Sequence, residues 1–322
     1  MRLYNSVSKA VSLIAVWSAI SGFTYLASAQ QAAKPSLAFE AASVRENQDA
    51  RSGPTNVPLD TEDAFIPTNG LFSAKGFPLS AYIAFAYKQQ NNPALRNQLP
   101  KWAQTARYDI DARGAGNPTK DEYREMVRTM LAQRFKLQAH MENKKIPVYA
   151  MVLIKPETPG PQLRPHSAGA ECSGGPTITN MGTITSRPPQ GANLLKPTTL
   201  VGTFPSFCGG FVGGVPVDPE NMPGYFMAGG RGMSMDLLAD VFTQRGPSNN
   251  LGDKPILDRT GLKGTWDFIV EWTSPAQNFA SPDRMGPTME SALKDQLGLK
   301  LEPTEAPVDL LLIDHVEMPT AN

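Results

Sequence analysis

The strongest constraint on this chain is that one long pattern occurs in it twice. Residues 72–154 and 228–313 run through the same order of helix and strand signatures, separated by a stretch rich in Pro, Gly, Ser and Thr. Each copy opens with a basic residue, a glycine and an apolar residue: Lys75, Gly76 and Phe77 in the first, Arg231, Gly232 and Met233 in the second. A helical pattern follows at once. Leu79, Tyr82, Ile83, Ala86 and Tyr87 in one copy, and Met235, Leu238, Ala239 and Phe242 in the other, fall on the i, i+3, i+4, i+7 stripe of a helix packed along one face. Pro78 and Ser234 stand at the helix start, where a missing N–H is harmless and a hydroxyl can cap.

A strand comes next in each copy, Arg107 to Ala112 and Thr265 to Val270, with a shared aromatic-Asp-apolar core that puts Asp109 and Asp267 in equivalent places. A second helix carries Tyr123, Met126, Val127, Met130 and Leu131, mirrored by Met289, Leu293 and Leu297, with Gly298 as its left-handed stop. Two strands are expected to close each copy: Phe135 to Glu142 then Pro147 to Ile154, and Leu299 to Glu302 then Pro307 to Ile313. A copy of about 90 residues with a half-covered sheet is small for a core of its own. The predicted fold is therefore α+β: two similar β-α-β-α-β-β halves, an internal duplication, packed together with a Gly/Pro-rich insertion between them. Leu37 to Arg45 reads as an additional strand, and Glu46 to Gly70 as polar loop.

The implied boundaries are a signal peptide over 1–29, an N-terminal strand and loop over 30–70, and the first repeat over 71–155. The insertion over 156–223, with Cys172 and Cys208, follows, then the second repeat over 224–318 and a tail over 319–322.

Residues 1–29 carry Arg2 and Lys9, an uncharged apolar run from Ala10 to Leu26, and an A-x-A site ending at Ala29, the pattern of a cleaved signal peptide; a retained anchor helix is the alternative. No Cys follows the cut, which argues against a lipoprotein, and no later stretch is apolar enough to span a bilayer, so the mature chain has no transmembrane segment. The expected location is periplasmic or extracellular. The whole chain balances 30 Lys+Arg against 30 Asp+Glu, so it has no basic footprint for nucleic acid. An oxidising compartment favours a disulfide between Cys172 and Cys208. Such a bridge would close a loop of about 37 residues and contribute at most about 4 kcal/mol in the chain-entropy model.

Reactive constellations are sparse. His140, His166 and His315 lack a second ligand at metal-pair spacing and read as solvated, so neither a metal nor another cofactor is expected. Ser291 and Lys294 fit S-x-x-K, but the companion elements of penicillin-recognising enzymes stand in the wrong order. The glycines from Cys208 to Gly214 read as a flexible, disulfide-tied loop, lacking the lysine ending of a phosphate loop. Asp258 to Gly264 reads as a turn. Asp109 and Asp267 are the only catalytic candidates, as paired carboxylates across a pseudo-two-fold axis; their more ordinary role is to buttress turns.

Several motifs together carry a family likeness. They are Phe39 to Arg45, Trp102 with Tyr108 to Ile110, and Met130 to Leu137 with His140 and Glu142. Pro147 to Tyr149, Pro255 to Leu262 with Trp266 to Phe268, and Leu297 to Glu302 complete the set. They resemble the soil-associated protein family expanded in acidobacteria, an exported domain of unknown function. The likeness spans nearly the whole mature chain and brings no activity, cofactor or catalytic residue with it. Related domains accompany membrane metallopeptidases of the beta-lactam-sensor type, which implies sensing through a separate partner. The expected function is a non-catalytic extracytoplasmic binding, sensing or scaffold module. Its partner would be an envelope protein, peptide or small ligand, held in the groove between the halves or by the insertion. An envelope hydrolase using carboxylates and a structural or adhesive surface protein are the alternatives.

Overall fold

The computed structural model describes residues 37–49, 51–90, 92–167, 177–178, 184–185, 201–216, 224–245, 251, 254–273 and 286–319. The signal-peptide reading and Cys172 lie outside them. In chain order the elements are β1 (Ala41–Asn47), β2 (Leu71–Pro78), α1 (Leu79–Ala86), α2 (Pro93–Arg96), α3 (Lys101–Thr105), β3 (Arg107–Arg113) and α4 (Lys120–Arg134). There follow β4 (Gln138–Leu153), β5 (Leu163–Pro165), β6 (Thr177–Ile178), β7 (Ile184–Thr185), β8 (Gly210–Pro216), β9 (Tyr225–Met233), α5 (Met235–Arg245) and β10 (Ile256–Asp258). The last are β11 (Trp266–Thr273), α6 (Met289–Ala292), a π turn over Leu293–Leu297, and β12 (Leu299–His315). The architecture is α+β.

Local chemistry explains the element ends. Pro78 closes β2 and precedes the first residue of α1, and the Ser234 hydroxyl accepts the N–H of Leu237 at 3.1 Å to start α5. Thr119 and Glu122 close a reciprocal capping box on α4. Gly298, at φ 69°, ends the second half's last helical turn, and Lys136, at φ 51°, occupies the corresponding left-handed position after α4. The one-face stripe expected of α1 understates its burial: all eight of its side chains are buried.

Each half builds its own sheet. In the first, β1, β3 and β2 run antiparallel in that order, with α1 and α4 over one face. In the second the order is β5, β11, β9, β8. One face of that sheet packs Phe268, Val270 and Trp272 on α5 and α6; the other packs Ile269 and Met227 on Phe204 and Phe207. Two stretches assigned to the insertion are thus strands of this sheet. The Gly-rich run after Cys208 is an edge strand and not a flexible loop, because the Glu62 carboxylate accepts its Phe211 N–H at 2.9 Å and β9 pairs along it.

The closing strands need a correction too. Each half ends in one long strand where two were expected, and β4 and β12 pair antiparallel from Gln138 opposite His315 to Leu153 opposite Leu299. Pro147, Pro303 and Pro307 do not interrupt the ladder. The Tyr149 N–H points away from β12 to Pro255 O, and that of Ile313 points away from β4 to the Gln98 side chain. Side-chain period two gives odd-numbered residues the same outward direction, so all three prolines present their nitrogen to an open edge. The ribbon's ends enter both cores: Leu311 packs with α1 and α4, and Met151 and Leu299 pack with α5 and α6.

Two glutamines mimic strands at open edges. The Gln98 amide accepts from Ile313 N at 2.9 Å and donates to Leu311 O at 3.1 Å. The Gln296 amide likewise takes both the N–H and the C=O of Glu271, each at 2.9 Å.

Candidate functional site

The structure places Asp109 on β3 and Asp267 on β11, in different sheets, and each holds a backbone amide. Asp109 Oδ1 accepts the Gly76 N–H at 2.8 Å and the Asn47 side-chain amide at 2.7 Å. Asp267 Oδ1 accepts the Gly232 N–H, also at 2.8 Å, and pairs with His166 Nδ1 at 2.7 Å. Gly76 and Gly232 lie at φ 64° and 60°, where a side chain would be strained, and each sits beside a register shift in its ladder. The two carboxylates share no hydrogen-bond partner among those described.

His166 is not solvated as expected. Its side chain is 16% exposed, its backbone N–H is bonded to Thr265 O at 2.9 Å, and its Nε2 faces Cys208 Sγ at 3.7 Å. Nothing in the local sequence announced this arrangement, because 101 positions separate His166 from Asp267. His140 and His315 are exposed, beside Asp314 and Glu317, each at 2.8 Å. Among the described residues no group of three or more His, Cys, Asp and Glu side chains is arranged to hold a metal ion. No helix among them is long and apolar enough to cross a membrane.

A cleft of about 750 Å³ opens at the end of the first sheet, where β1 runs out, β3 begins and the chain leaves β12. Its walls carry Glu46, Asn47, Asp49, Trp102, Gln104 and Arg107, with exposed Met318 at the rim. Trp102 is half-buried and packs against the first core. The floor is stiff: Arg107 donates to Gly76 O at 2.7 Å and Ser52 Oγ at 3.1 Å, while Asp109 holds the N–H of the same glycine. Burial pushes the Tyr108 hydroxyl up to about 12, with the Glu46 charge adding to the effect, so it stays protonated. Glu46 and Asp49 have no ion-pair partner among the described residues. No local sequence pattern marks this place, because its walls come from segments far apart in the chain, Trp102 among them.

A second cleft, of about 440 Å³, is lined by Tyr149, Leu293, Leu301, Ser291 and Lys294. Ser291 Oγ donates to Thr288 O at 3.1 Å and serves the start of α6, the ordinary role for a hydroxyl there.

Charge is buried elsewhere in ways the pattern did not announce. Lys120 and Arg124 of α4 are only 3% exposed and are gripped by the loop before β2. Lys120 pairs with Asp60 at 2.5 Å and Arg124 with Asp63 at 3.0 Å, and Arg124 also donates to Glu62 O at 2.6 Å. Glu271 is buried on β11, where Tyr225 donates to its Oε2 at 2.8 Å and its Oε1 has no partner among the described residues. Burial holds its carboxyl above the usual range, partly offset by the tyrosine bond.

No curated protein and no solved structure matches the chain. A family model described as protein of unknown function (DUF3738) matches residues 80–316, which takes in β3, the ribbon of β4 and β12, and both aspartates. The chain belongs to that family of unknown function.

Proposed function

We propose that this is an exported, non-catalytic binding module that takes a small hydroxyl- or amine-bearing ligand in the cleft at the end of the first sheet. The observation that carries the reading is the lining of that cleft. It joins one aromatic face (Trp102), planar amides (Asn47, Gln104), carboxylates without an ion-pair partner (Glu46, Asp49) and one fixed guanidinium (Arg107). An aromatic face binds the apolar side of a sugar ring or an ammonium group, and carboxylates and amides accept from hydroxyls and amines.

Export rests on the charged, apolar and small-residue order of residues 1–29, and the likeness to the exported soil-associated group supports it. Internal duplication is supported by the matched pairs Asp109 with Gly76 and Asp267 with Gly232, and by the like element order on either side of the ribbon. A carboxylate-based hydrolase finds less support, because both aspartates already hold backbone amides that shape their sheets. A structural or adhesive role is separated from binding by self-association of the purified protein.

The test is a thermal-shift screen of residues 30–322 against neutral sugars, amino sugars and simple amines, repeated with Trp102→Ala. Saturable stabilisation by one of these classes, lost in the variant, supports the reading. A flat response to every class, or a response unchanged by Trp102→Ala, contradicts it.

A further inference from the structure

We propose that the ligand taken by the cleft at the end of the first sheet is a primary ammonium, held by Glu46 and Asp49 while the body that carries it lies on the Trp102 face. The inference rests on the binding role proposed for that cleft and narrows its ligand: the site selects positive charge with N–H donors, and a neutral hydroxyl compound of the same shape binds less well.

The polar groups around the cleft divide into those already engaged and those that are not. The Asn47 side-chain amide donates to Asp109 Oδ1 at 2.7 Å, and its oxygen accepts the Asp49 N–H at 2.6 Å. Because Asp109 also clamps Gly76, this series of bonds ties the segment carrying Glu46 and Asp49 to the sheet. The Gln104 amide nitrogen donates to Leu99 O at 2.8 Å. Arg107 Nη1 donates to Gly76 O at 2.7 Å and to Ser52 Oγ at 3.1 Å, which anchors the guanidinium at the floor. What remains is mostly acceptor: the carboxylate oxygens of Glu46 and Asp49 and the side-chain oxygen of Gln104 have no hydrogen-bond partner among the described residues. Gln48 can donate or accept, and the Trp102 indole can only donate.

The lining carries two carboxylates against one guanidinium, a net charge of −1, although the whole chain balances 30 basic against 30 acidic residues. A neutral hydroxyl compound seated there would displace water from the carboxylates without bringing a counter-charge. An ammonium brings that charge together with three N–H donors, and hydrogen bonds between ionised partners are the stronger kind. The face of an indole attracts a cation as well, so Trp102 and the carboxylates favour the same ligand. An anion meets like charge on the same walls. Glu46 and Asp49 are both exposed, so water and salt screen them, and the preference for the ammonium is about tenfold and not a thousandfold.

The experiment titrates the purified protein with compounds of one shape and different charge, at about pH 6.5, where both amines are protonated. Cyclohexylamine is compared with cyclohexanol, and glucosamine with glucose; the two pairs separate an apolar body from a sugar body. Binding is read at the Trp102 indole N–H resonance, assigned by its loss in Trp102→Phe. In at least one pair the ammonium compound should bind about tenfold tighter than its neutral partner, and the advantage should shrink as salt rises from about 0.02 to about 0.5 M. Glu46→Gln and Asp49→Asn should each weaken ammonium binding about three- to fivefold without changing the melting curve, because both side chains are exposed. Asp295→Asn, an exposed carboxylate of the second half, should leave it unchanged. Equal affinities within both pairs, or a loss in Asp295→Asn as large as in Glu46→Gln, overturns the proposal. Saturable binding of cyclohexanol or glucose that matches its amine overturns charge selection alone and leaves the cleft a binding site; no binding by any of the four compounds counts against both readings.

Discussion

Asp109 accepts the backbone N–H of Gly76 at 2.8 Å, beside the register shift between β2 and β3. Asp267 holds Gly232 in the same way on β11. Each carboxylate therefore fixes, through its Oδ1, the kink at which a strand turns into the following helix. Asp109→Ala should destabilise the fold by about 2 kcal/mol, the cost of leaving a charge-assisted bond to a backbone amide unmade, and Asp109→Asn by less. Gly76→Ala should cost about 1–3 kcal/mol, because its φ is 64° and the new Cβ would lie 2.7 Å from Arg51 O. Urea unfolding measures both; unchanged stability in Asp109→Ala would free that residue for a chemical role.

The ribbon of β4 and β12 makes a prediction by parity. Lys144 lies opposite Val308 with its N–H directed at the partner strand, whereas Lys145 lies opposite Pro307 with its N–H directed outward. Lys144→Pro should cost about 3 kcal/mol or more, and Lys145→Pro much less. Equal losses in urea titrations of the two variants would show the parity assignment to be wrong.

Gln98 supplies the hydrogen bonds that a neighbouring strand would give β12. Gln98→Ala should cost about 1 kcal/mol and speed hydrogen exchange at the Ile313 amide, while the amide of Leu312, which faces β4, keeps its protection. Amide exchange read by mass spectrometry or NMR decides it.

Two carboxyls shape the pH dependence. Burial raises Asp240 to about 6, with Asp236 adding and Lys88 opposing, and burial also raises Glu271. A carboxyl whose folded pKa lies above its unfolded value contributes stability that is present below the unfolded value near 4 and is lost as pH rises through the folded one. Asp240 therefore makes the protein less stable at pH 7 than at pH 4.5, all else equal. Asp240→Asn should remove that slope and raise Tm at pH 7 by about 2–4 °C relative to its effect at pH 4.5. Melting curves across that range would show parallel profiles if the group were not perturbed.

What was legible beforehand was local. Helix starts at Pro78 and Ser234, the left-handed stop at Gly298 and the Asp258 turn, where Thr260 N–H bonds the Asp258 carboxylate at 2.8 Å, all follow from chemistry within a few residues. Asp109 and Asp267, matched by pattern in the sequence, each clamp a glycine amide in the structure. What escaped was non-local. Pro147 and Pro307 look like strand breaks until the direction of their nitrogens is known, and that direction depends on which edge the partner strand occupies. The recruitment of β5 and β8 from the insertion, the loop that buries Lys120 and Arg124, and the meeting of His166 with Asp267 all join segments far apart in sequence. The cleft around Trp102 is likewise assembled from β1, β3, α3 and the residues after β12.

The most direct test of a binding module without chemistry is proton NMR of a ligand selected by the thermal screen, incubated with residues 30–322. Saturation transfer from protein to ligand is predicted, absent with Trp102→Ala, while the ligand's own spectrum stays unchanged over days. New product resonances that disappear with Asp109→Asn or Asp267→Asn would contradict the account and make the protein an enzyme.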